Sequence, residues 1–380
     1  MSSVSMQCSV RRSMALEWAG SLLAACSSAM SPFVAAIFLL GICLANAVNF
    51  TTVYEWETFD FIWPSGTDSS IEEMKEDYKR GNAYLNYMAV FGDRLFLSLD
   101  TNYGVPATLV WLPTSGSSTA PPKLAPFPSW HLHKKENCNS IQRAYGIDTD
   151  TDGRLWVVDQ GSINCPGKIW IFNLLNNDQT EREHQFPDAV VSHSKDKRAL
   201  RDMVLDKTTD DYLAYITDVW SEHIIVYSRK MDKSWSVKTP EIKWFSLALS
   251  HPIREARQLY LARFGSNKLY SVFVSELKNE GGSAAVKFIG KWTEYNPYRM
   301  VIDSGNVLYA TFWTQNYLSK WNISEPFNEQ WFYEVGRRRG AHRPFTFAFD
   351  TNGILWMTQR DESEGWSKAW HKLVKAAVGA

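Results

Sequence analysis

The feature that most constrains the fold of this chain is a short unit that recurs six times. Each copy has an apolar strand, a polar turn with Gly, Asn or Asp, and an aliphatic–aromatic pair that opens a second strand. The pairs are Leu95-Phe96, Leu155-Trp156, Ala214-Tyr215, Leu259-Tyr260, Leu308-Tyr309 and Leu355-Trp356, spaced 60, 59, 45, 49 and 47 residues apart. A period near 50 residues accommodates four strands and their turns, which make one propeller blade. A β-sandwich has no reason to repeat one hairpin at such spacing, so the sequence predicts an all-β, six-bladed β-propeller.

The two ends of the repeat region predict how the ring closes. The segment 54–63 (YEWETFDFIW) is strand-like and precedes the first hairpin, and 371–376 (HKLVKA) is strand-like and follows the last. An N-terminal strand that joins the last blade closes the ring and removes the open sheet edges that promote aggregation. The Ser-, Pro- and charge-rich stretches 65–79 and 115–123 are predicted to be loops.

The N-terminus predicts a secreted protein. Residues 31–47 read SPFVAAIFLLGICLANA, an apolar run too short to span a bilayer comfortably, followed by the small-x-small pattern Ala45-Asn46-Ala47. We therefore expect residues 1–47 to be a signal peptide with an unusually long extension that is removed, and residues 48–380 to be a single propeller domain in the extracellular space. A transmembrane anchor is the alternative, and the start at Met1, Met14 or Met30 stays open.

The cysteines and acceptor triplets fit secretion. Cys8, Cys26 and Cys43 fall in the predicted leader, which leaves Cys138 and Cys165 in the mature chain. An even pair in an oxidising compartment predicts one disulfide, with two unrelated thiols as the alternative. Asn49-Phe50-Thr51 and Asn322-Ile323-Ser324 are N-glycosylation acceptor triplets.

Composition and motifs narrow the function classes. The net charge is −1, and charged residues make up 21% of the chain, so nucleic acid and the surface of an anionic membrane are not expected as partners after signal cleavage. The sequence has no CxxC, HExxH or Cys/His cluster, and we predict neither a metal nor a cofactor. His131 and His133 alternate and can share one strand face, but a surface loop is the favoured interpretation because a Pro-rich segment precedes them.

Several motifs resemble a known family. Residues 147–160 (IDTDTDGRLWVVDQ), followed by Gly161 and 165–168 (CPGK), are similar to the signature of Yellow and major royal jelly proteins. The segments 103–109 (YGVPATL) and 123–130 (KLAPFPSW) add to the resemblance, which covers nearly the whole mature chain. The resemblance implies a secreted, insect-type six-bladed propeller. The chain departs from the family where a cysteine is usual: Asp152 stands at one such position, and Asp210 or Asp211 near the other, as if a second disulfide were lost.

A propeller usually carries its function at one mouth of the central tunnel. Aligning the blades puts these candidates on the innermost strands: Arg143, Tyr145, Asp202, Tyr298, Phe345, Thr346 and Phe347. Aromatic faces beside a carboxylate suit a small aromatic ammonium ligand. Phe345 and Phe347 can instead be core, and Arg143 and Arg201 can instead pair with Asp148 and Asp202. The tunnel candidates are mostly Tyr, Arg, Met and Phe, which argues against the calcium site of six-bladed lactonases.

The resemblance implies three functions: binding of biogenic amines, dopachrome conversion in melanin and cuticle pigmentation, and a nutritive or structural role. An enzyme needs chemistry that the sequence does not locate, since Gly-x-Ser-x-Gly and Cys/His nucleophile motifs are absent. Catalytic residues therefore stay unassigned, although Asp202 or His342 can serve as a general base if either reaches the tunnel. We predict binding of a small aromatic or biogenic amine, or an indole-type ligand, at the tunnel mouth without turnover. The other two functions stay open as alternatives.

Overall fold

The computed structural model describes residues 48–65, 69–78, 83–100, 104–115, 122–239, 243–251, 256–336, 342–361 and 370–378. The predicted signal peptide, residues 1–47, lies outside the described residues. The helices of the described part are α1 (Ser69–Asp77) and three short 3-10 helices, Trp130–Leu132, Lys195–Lys197 and Val274–Lys278. None of the helices in these ranges is long and apolar enough to cross a membrane.

Six four-stranded antiparallel sheets form the blades, as the repeat predicts. In order from the inner strand outward they are: blade 1, β2 (Leu85–Phe91), β3 (Arg94–Leu99), β4 (Leu109–Pro113), β5 (Ala125–Pro126); blade 2, β6 (Ala144–Thr149), β7 (Arg154–Asp159), β8 (Lys168–Asn173), β9 (Gln179–Gln185); blade 3, β10 (Leu200–Lys207), β11 (Tyr212–Asp218), β12 (His223–Ser228), β13 (Lys233–Lys238); blade 4, β14 (Ser246–Leu249), β15 (Gln258–Ala262), β16 (Lys268–Phe273), β17 (Lys287–Lys291); blade 5, β18 (Pro297–Ile302), β19 (Val307–Phe312), β20 (Tyr317–Asn322), β21 (Gln330–Glu334); blade 6, β22 (Arg343–Phe349), β23 (Ile354–Asp361), β24 (Trp370–Ala377), β1 (Thr51–Trp56).

The N-terminal strand closes the ring, which confirms the predicted architecture. Strand β1 is the outermost strand of blade 6 and pairs with β24 from Thr51 opposite Lys375 to Trp56 opposite His371. The inner strands β2, β6, β10, β14, β18 and β22 contact one another in that order, and β22 returns to β2. The six inner strands therefore surround a central tunnel.

In three of the six hairpins, an aspartate of the turn accepts a hydrogen bond from the aromatic residue of the second strand. All six aliphatic–aromatic pairs lie on the second strand of their blades. In blade 2, Asp150 accepts the indole N–H of Trp156 at 2.8 Å and the backbone N–H groups of Asp152 and Arg154 at 3.0 Å each. The Tyr309 hydroxyl donates to Asp303 and the Trp356 indole to Asp350 with the same six-residue spacing. One aspartate thus closes the turn and fixes the aromatic ring of the next strand.

Two sequence interpretations need correction. The stretch 65–79, predicted to be a loop, contains helix α1, which carries Glu72 in its first turn and Lys75 in its last, an arrangement that suits the helix dipole. The surface-loop interpretation of His131 and His133 is wrong for one of them: neither lies in a strand and His131 is exposed, but only 3% of His133 is exposed, and its Nε2 lies 2.9 Å from the Phe127 carbonyl. Most of the second predicted loop, 115–123, lies outside the described residues.

A repeated irregularity shapes the inner strands. In five of the six, the pairing register with the second strand shifts near the start of the strand. Such bulges re-aim side chains. The shifts fall between these residues: Leu85 and Met88, Ala144 and Ile147, Leu200 and Met203, Pro297 and Arg299, Pro344 and Phe347. The residues within these bulges contact one another across blades, which places them at the ring centre.

Candidate functional site

An aromatic cluster lies at the upper mouth, defined here as the end of the tunnel where the inner strands begin. The cluster consists of Tyr84, Phe245, Tyr298 and Phe345, all buried, with Val219 and Trp313 packed against it. Tyr298 is its centre: its ring centroid lies 4.2 Å from that of Phe345, 5.1 Å from Trp313 and 5.9 Å from Phe245. The rings belong to blades 1, 4, 5 and 6, so the cluster joins opposite sides of the tunnel.

Arginine side chains occupy ring faces in this cluster. The guanidinium carbon of Arg201 lies 4.6 Å from the ring centroid of Phe245, 5.1 Å from Tyr145 and 5.6 Å from Tyr298. The guanidinium of Arg360, at the end of β23, lies 3.7 Å from the Phe345 ring and 4.4 Å from Tyr84. Cation–π contacts of this kind are strongest when the cation is desolvated. The chain's own cations therefore cover ring faces that an ammonium ligand would otherwise use.

Asp202 lies deeper in the tunnel and is fully engaged. It accepts hydrogen bonds from Arg299 at 2.7 Å, the Ser246 hydroxyl at 3.1 Å, and the backbone N–H groups of Leu247 and Met203 at 2.8 and 2.9 Å. Burial raises the pKa of Asp202, and Arg299 opposes that rise. A carboxylate offers about four acceptor positions, so this one is saturated and is poorly suited to act as a general base.

Arg143 and Arg201 do not take the partners considered from sequence. Arg143 pairs with Asp100 at 3.1 Å and lies 5.2 Å from the Tyr145 ring. Burial raises the pKa of Tyr145, Tyr87 and Tyr298, so these phenols are neutral at physiological pH. Arg143 thus faces Asp100, and Arg299 lies between Asp202 and Asp148, whereas Arg201 lies over the rings of Tyr145, Phe245 and Tyr298.

The structure brings most of the sequence-predicted residues together. Arg143, Tyr145, Tyr298 and Phe345 meet at the upper mouth, and Asp202 lies beneath them. Thr346 is fully buried in the adjoining bulge. Phe347 lies apart from the mouth, in the core beside Tyr309 and Leu355, because it follows the bulge and points between blades 5 and 6.

Sequence reasoning missed the residues that flank the strands. Phe245 directly precedes an inner strand, and Trp313 directly follows a second strand, so both belong to the upper face of the ring. Tyr84 directly precedes the inner strand of blade 1, and Arg360 is the last residue but one of the second strand of blade 6. The signal that would have found them is position: the residues before a first strand and after a second strand meet at the same mouth.

The lower mouth, where the inner strands end, holds a cavity of about 330 Å³ with both polar and apolar lining residues. Asp148, His251, Arg257, Arg299, Asp303 and Asp350 are among its lining residues. Burial raises the pKa of Asp148 to about 6, although Arg299 opposes the rise. Asp303 and Asp350 are engaged in the hairpin turns described above, and Arg257 pairs with Asp206. Among the residues that the structure describes, no three His, Cys, Asp or Glu side chains are placed to hold a metal ion.

One disulfide and two ion pairs link loops and turns of blades 2 and 3. Cys138 and Cys165 form the predicted disulfide, with an S–S distance of 2.07 Å. Where the resemblance implies a lost second disulfide, Asp152 instead pairs with Lys207 at 2.9 Å, which links the hairpin turns of blades 2 and 3. Asp210 pairs with Lys230 within blade 3. The acceptor Asn49 is exposed, and Asn322 is half-buried in the turn that ends β20; neither glycosylation prediction is tested by this geometry.

Comparison with solved structures supports the fold. A gluconolactonase from Xanthomonas campestris is similar with a TM-score of 0.52 and 13% identity, covering 87% of this chain and 92% of that one. A luciferin-regenerating enzyme is similar with a TM-score of 0.50 and 13% identity, covering 78% and 92%. At this identity the likeness concerns the fold alone.

Comparison with curated proteins and family models gives the relationship. Protein yellow of Drosophila guanche is 28% identical over 348 residues, and Protein yellow of Drosophila melanogaster is 28% identical over 346 residues, each match covering 80% of this chain. The matches span 60% and 63% of those relatives' lengths. The family model for major royal jelly protein matches residues 142–244 and 241–357, more than half of the chain. With its six-bladed propeller and Yellow relatives, this chain belongs to the major royal jelly protein family.

Proposed function

We propose that the upper mouth binds a small planar aromatic molecule and does not convert it. The observation that carries the proposal is the continuity of the aromatic cluster with an exposed ring. Phe264 is 52% exposed, and its ring centroid lies 5.5 Å from that of buried Phe245, which in turn packs on Tyr298. A ligand ring that stacks on Phe264 can extend the same offset packing toward the tunnel.

The charge at the mouth bears on the class of ligand. Because the guanidinium group of Arg201 lies over three of the rings, an ammonium group must approach a cation there, whereas a carboxylate can pair with it. An indole-type ligand that carries a carboxylate therefore suits the mouth best. The aromatic or biogenic amine predicted from sequence is the competing ligand, for which Asp100, already paired with Arg143, is the carboxylate closest at hand.

Dopachrome conversion is the second candidate, favoured by Arg201 because dopachrome carries a carboxylate on an indole-derived ring. Tautomerisation also needs a base within hydrogen-bond reach of the carbon acid. Asp202 has its acceptor positions occupied beneath the cluster, and His342, half-buried, has interactions of its own. Binding without turnover is therefore the leading function. A nutritive or structural role stays open, and the pigmentation role of relatives is not carried over to a chain that spans about 60% of their length.

Calorimetric titration with a matched pair of ligands tests the proposal. Indole-3-propionate and tryptamine share the ring and the two-carbon tether and differ in the charge of the end group. We expect saturable binding of both, with indole-3-propionate about tenfold tighter and the preference lost in Arg201→Gln. Arg182→Gln, an outer-strand variant, is the control. Equal or tighter binding of tryptamine by the unmodified protein overturns the charge argument, and catalysed dopachrome decay on the same sample overturns binding without turnover.

We further propose that the protein is secreted. The Cys138–Cys165 disulfide supports an oxidising compartment. Expression of the full chain in insect cells, followed by mass measurement of the medium before and after deglycosylation, tests this. A secreted chain that begins near Val48 and carries glycans at Asn49 or Asn322 is the expected result. Retention of residues 30–47 in a cell-associated protein would contradict it.

A further inference from the structure

A cavity of about 280 Å³ lies beside the Cys138–Cys165 disulfide; we call it the disulfide cavity. Its walls come from three segments, 105–108, 133–143 and 161–163, together with Lys195. It differs from the upper mouth in composition: its lining residues include no Phe, Tyr or Trp, and the apolar part is aliphatic, from Val105, Pro106 and Ile141. A ligand for this cavity therefore needs no aromatic ring.

One buried carboxylate ties two of the walls together. Asp159, fully buried, accepts the backbone N–H groups of Gln142 at 3.0 Å, Arg143 at 2.8 Å and Gly161 at 2.9 Å. The Gln142 side-chain amide then donates to the carbonyls of Lys134, Asn137 and Ser140, at 3.1, 2.7 and 3.2 Å. The loop that forms one wall is thus held at several points, and its position relative to blade 2 is fixed.

A buried arginine holds the opposite wall. Arg198 is fully buried and donates to the carbonyls of Gln160 at 2.7 Å, Ser162 at 2.6 Å and Cys165 at 2.7 Å. Gly161 has a φ of +74°, and a Cβ there would lie 2.2 Å from the Cys165 carbonyl oxygen, so only glycine fits the turn. Together with the disulfide, these contacts make the cavity wall pre-organised, which lowers the cost of binding.

Nδ1 of His133 and the hydroxyl of Ser162 are buried polar atoms of the cavity's lining residues, and neither has a hydrogen-bond partner among the described residues. His133 is only 3% exposed, and its Nε2 faces the Phe127 carbonyl, which can only accept a hydrogen bond. Nε2 therefore carries the proton, and Nδ1 is a lone-pair acceptor. Leaving a buried acceptor unpaired is costly, so a group that donates to it gains a favourable contact.

The charged residues at the cavity are mostly cationic. Lys135, Lys195 and Arg143 are among the lining residues. Glu136 is the one carboxylate in this set, and it accepts a hydrogen bond from the Asn164 side chain at 2.6 Å. Arg143 forms an ion pair with Asp100, while both lysines are exposed at the rim of the cavity. The cavity entrance thus favours an anion.

We propose that the disulfide cavity binds a small hydroxylated organic anion of the sugar-acid class, separately from the ligand of the upper mouth. A ligand hydroxyl donates to Nδ1 of His133, the carboxylate faces Lys135 and Lys195, and the carbon skeleton lies on Val105, Pro106 and Ile141. The volume is below the range of drug-sized ligand pockets, which suits a molecule of up to hexose size.

Nitrogen-detected NMR of the secreted protein labelled with ¹⁵N-histidine tests this proposal. Glucuronate is the probe; glucose lacks the charge, and glucosamine reverses it on the same ring. We expect a saturable shift of the His133 Nδ1 resonance with glucuronate, and binding about tenfold weaker for the other two sugars. Lys195→Glu is expected to weaken glucuronate about tenfold, while Lys197→Glu, exposed on the same 3-10 helix but not among the lining residues, stays within about twofold of the unmodified protein.

Three results would overturn the inference. The first is no saturable His133 shift with glucuronate or with the smaller hydroxy acid lactate. The second is equal affinity for glucuronate and glucose, and the third is equal weakening by Lys195→Glu and Lys197→Glu. Repeating the glucuronate titration in saturating indole-3-propionate separates this site from the upper mouth, because independent sites leave the glucuronate affinity unchanged. Failure of either proposal then leaves the other standing.

Discussion

The upper mouth and the disulfide cavity both contain arginine or lysine side chains, but they differ in how much of their space is already filled. The mouth is filled by its own side chains, with Tyr298 stacked on Phe345 and Arg201 lying over three rings. The cavity is open, its walls held by Asp159 and Arg198, and it leaves polar atoms unpaired. A ligand at the mouth can stack on exposed Phe264 at the margin of the packed rings, whereas a ligand at the cavity enters an open space whose wall is already fixed. Aromatic residues at a propeller mouth can therefore stabilise the fold by packing on one another, whether or not a ligand binds there.

Alanine substitutions should reduce the free energy of unfolding much more in the upper mouth than at the rim of the disulfide cavity. Tyr298→Ala should lower the free energy of unfolding by about 3 to 5 kcal/mol, because it deletes the fully buried ring at the centre of the mouth. Ile163→Ala at the cavity rim, where the side chain is 68% exposed, should change it by less than about 0.5 kcal/mol. Denaturant unfolding measures both. Tyr298→Phe, which keeps the ring and loses the hydrogen bond to the Asn86 carbonyl, is the control. A small loss for Tyr298→Ala would mean that the mouth is not structural.

Removal of the disulfide should affect the cavity and spare the mouth. Replacing Cys138 and Cys165 together by Ser should destabilise the protein by about 3 to 4 kcal/mol in the chain-entropy model, since the bond closes a loop with a sequence separation of 27. Glucuronate binding should be lost and indole-3-propionate binding retained in the folded variant. Loss of both ligands together would show that the regions are coupled and would break the comparison.

Acid should destabilise the protein partly through the cavity. Burial lowers the pKa of His133 to about 4 from its usual value of 6.5. A depressed pKa means that the unfolded state takes up the proton first, so stability falls as pH drops from about 6.5 to about 4, by about 3 kcal/mol for this group. His371, whose pKa burial lowers to about 3, adds a similar loss that continues to lower pH. The unfolding free energy of His133→Gln, measured against pH, should show a shallower slope over this window than the unmodified protein; equal slopes would contradict the assignment.

The smallest of the four expected effects concerns Asp148 at the lower mouth. Its contribution to the free energy of unfolding becomes more favourable as pH falls, opposite to that of His133. Burial raises the pKa of Asp148 to about 6, so the ionised carboxylate costs stability above that pH, and the cost disappears as pH falls toward 3.8. Asp148→Asn should therefore stabilise the protein by about 2 to 3 kcal/mol at neutral pH and by nothing at pH below about 3.8. Thermal or denaturant unfolding at the two pH values checks this. A variant that is less stable at neutral pH would mean that the attraction of Arg299 exceeds the burial penalty.

The fold could be predicted because the hairpin signal is local and periodic. Leu155-Trp156 and its five counterparts follow their turns closely in sequence, so their positions follow from spacing alone. The carboxylate partner is equally local in sequence, because Asp150, Asp303 and Asp350 each precede their aromatic residue by six positions. Inner-strand members of the mouth, such as Tyr145 and Tyr298, followed from aligning the blades.

The rest depends on how blades meet, which a single sequence does not give. Phe245 and Arg360 join the mouth from outside the inner strands, and Arg201 stacks on rings from three other blades. The signature segment 147–168 identified the family, but its physical reason became visible only in three dimensions. Asp159, Gly161 and Cys165 build and fix the wall of the disulfide cavity.

The central claim is that this propeller has two separate small-molecule sites, one filled by its own rings and one open. A crystal structure of the full mature protein grown with both indole-3-propionate and glucuronate tests it most directly. We expect the indole ring against Phe264 and Phe245 with its carboxylate toward Arg201, and glucuronate beside His133 and Ser162 with the cavity walls unmoved. Both ligands in one site, or density at neither with both present at saturating concentration, would contradict the account.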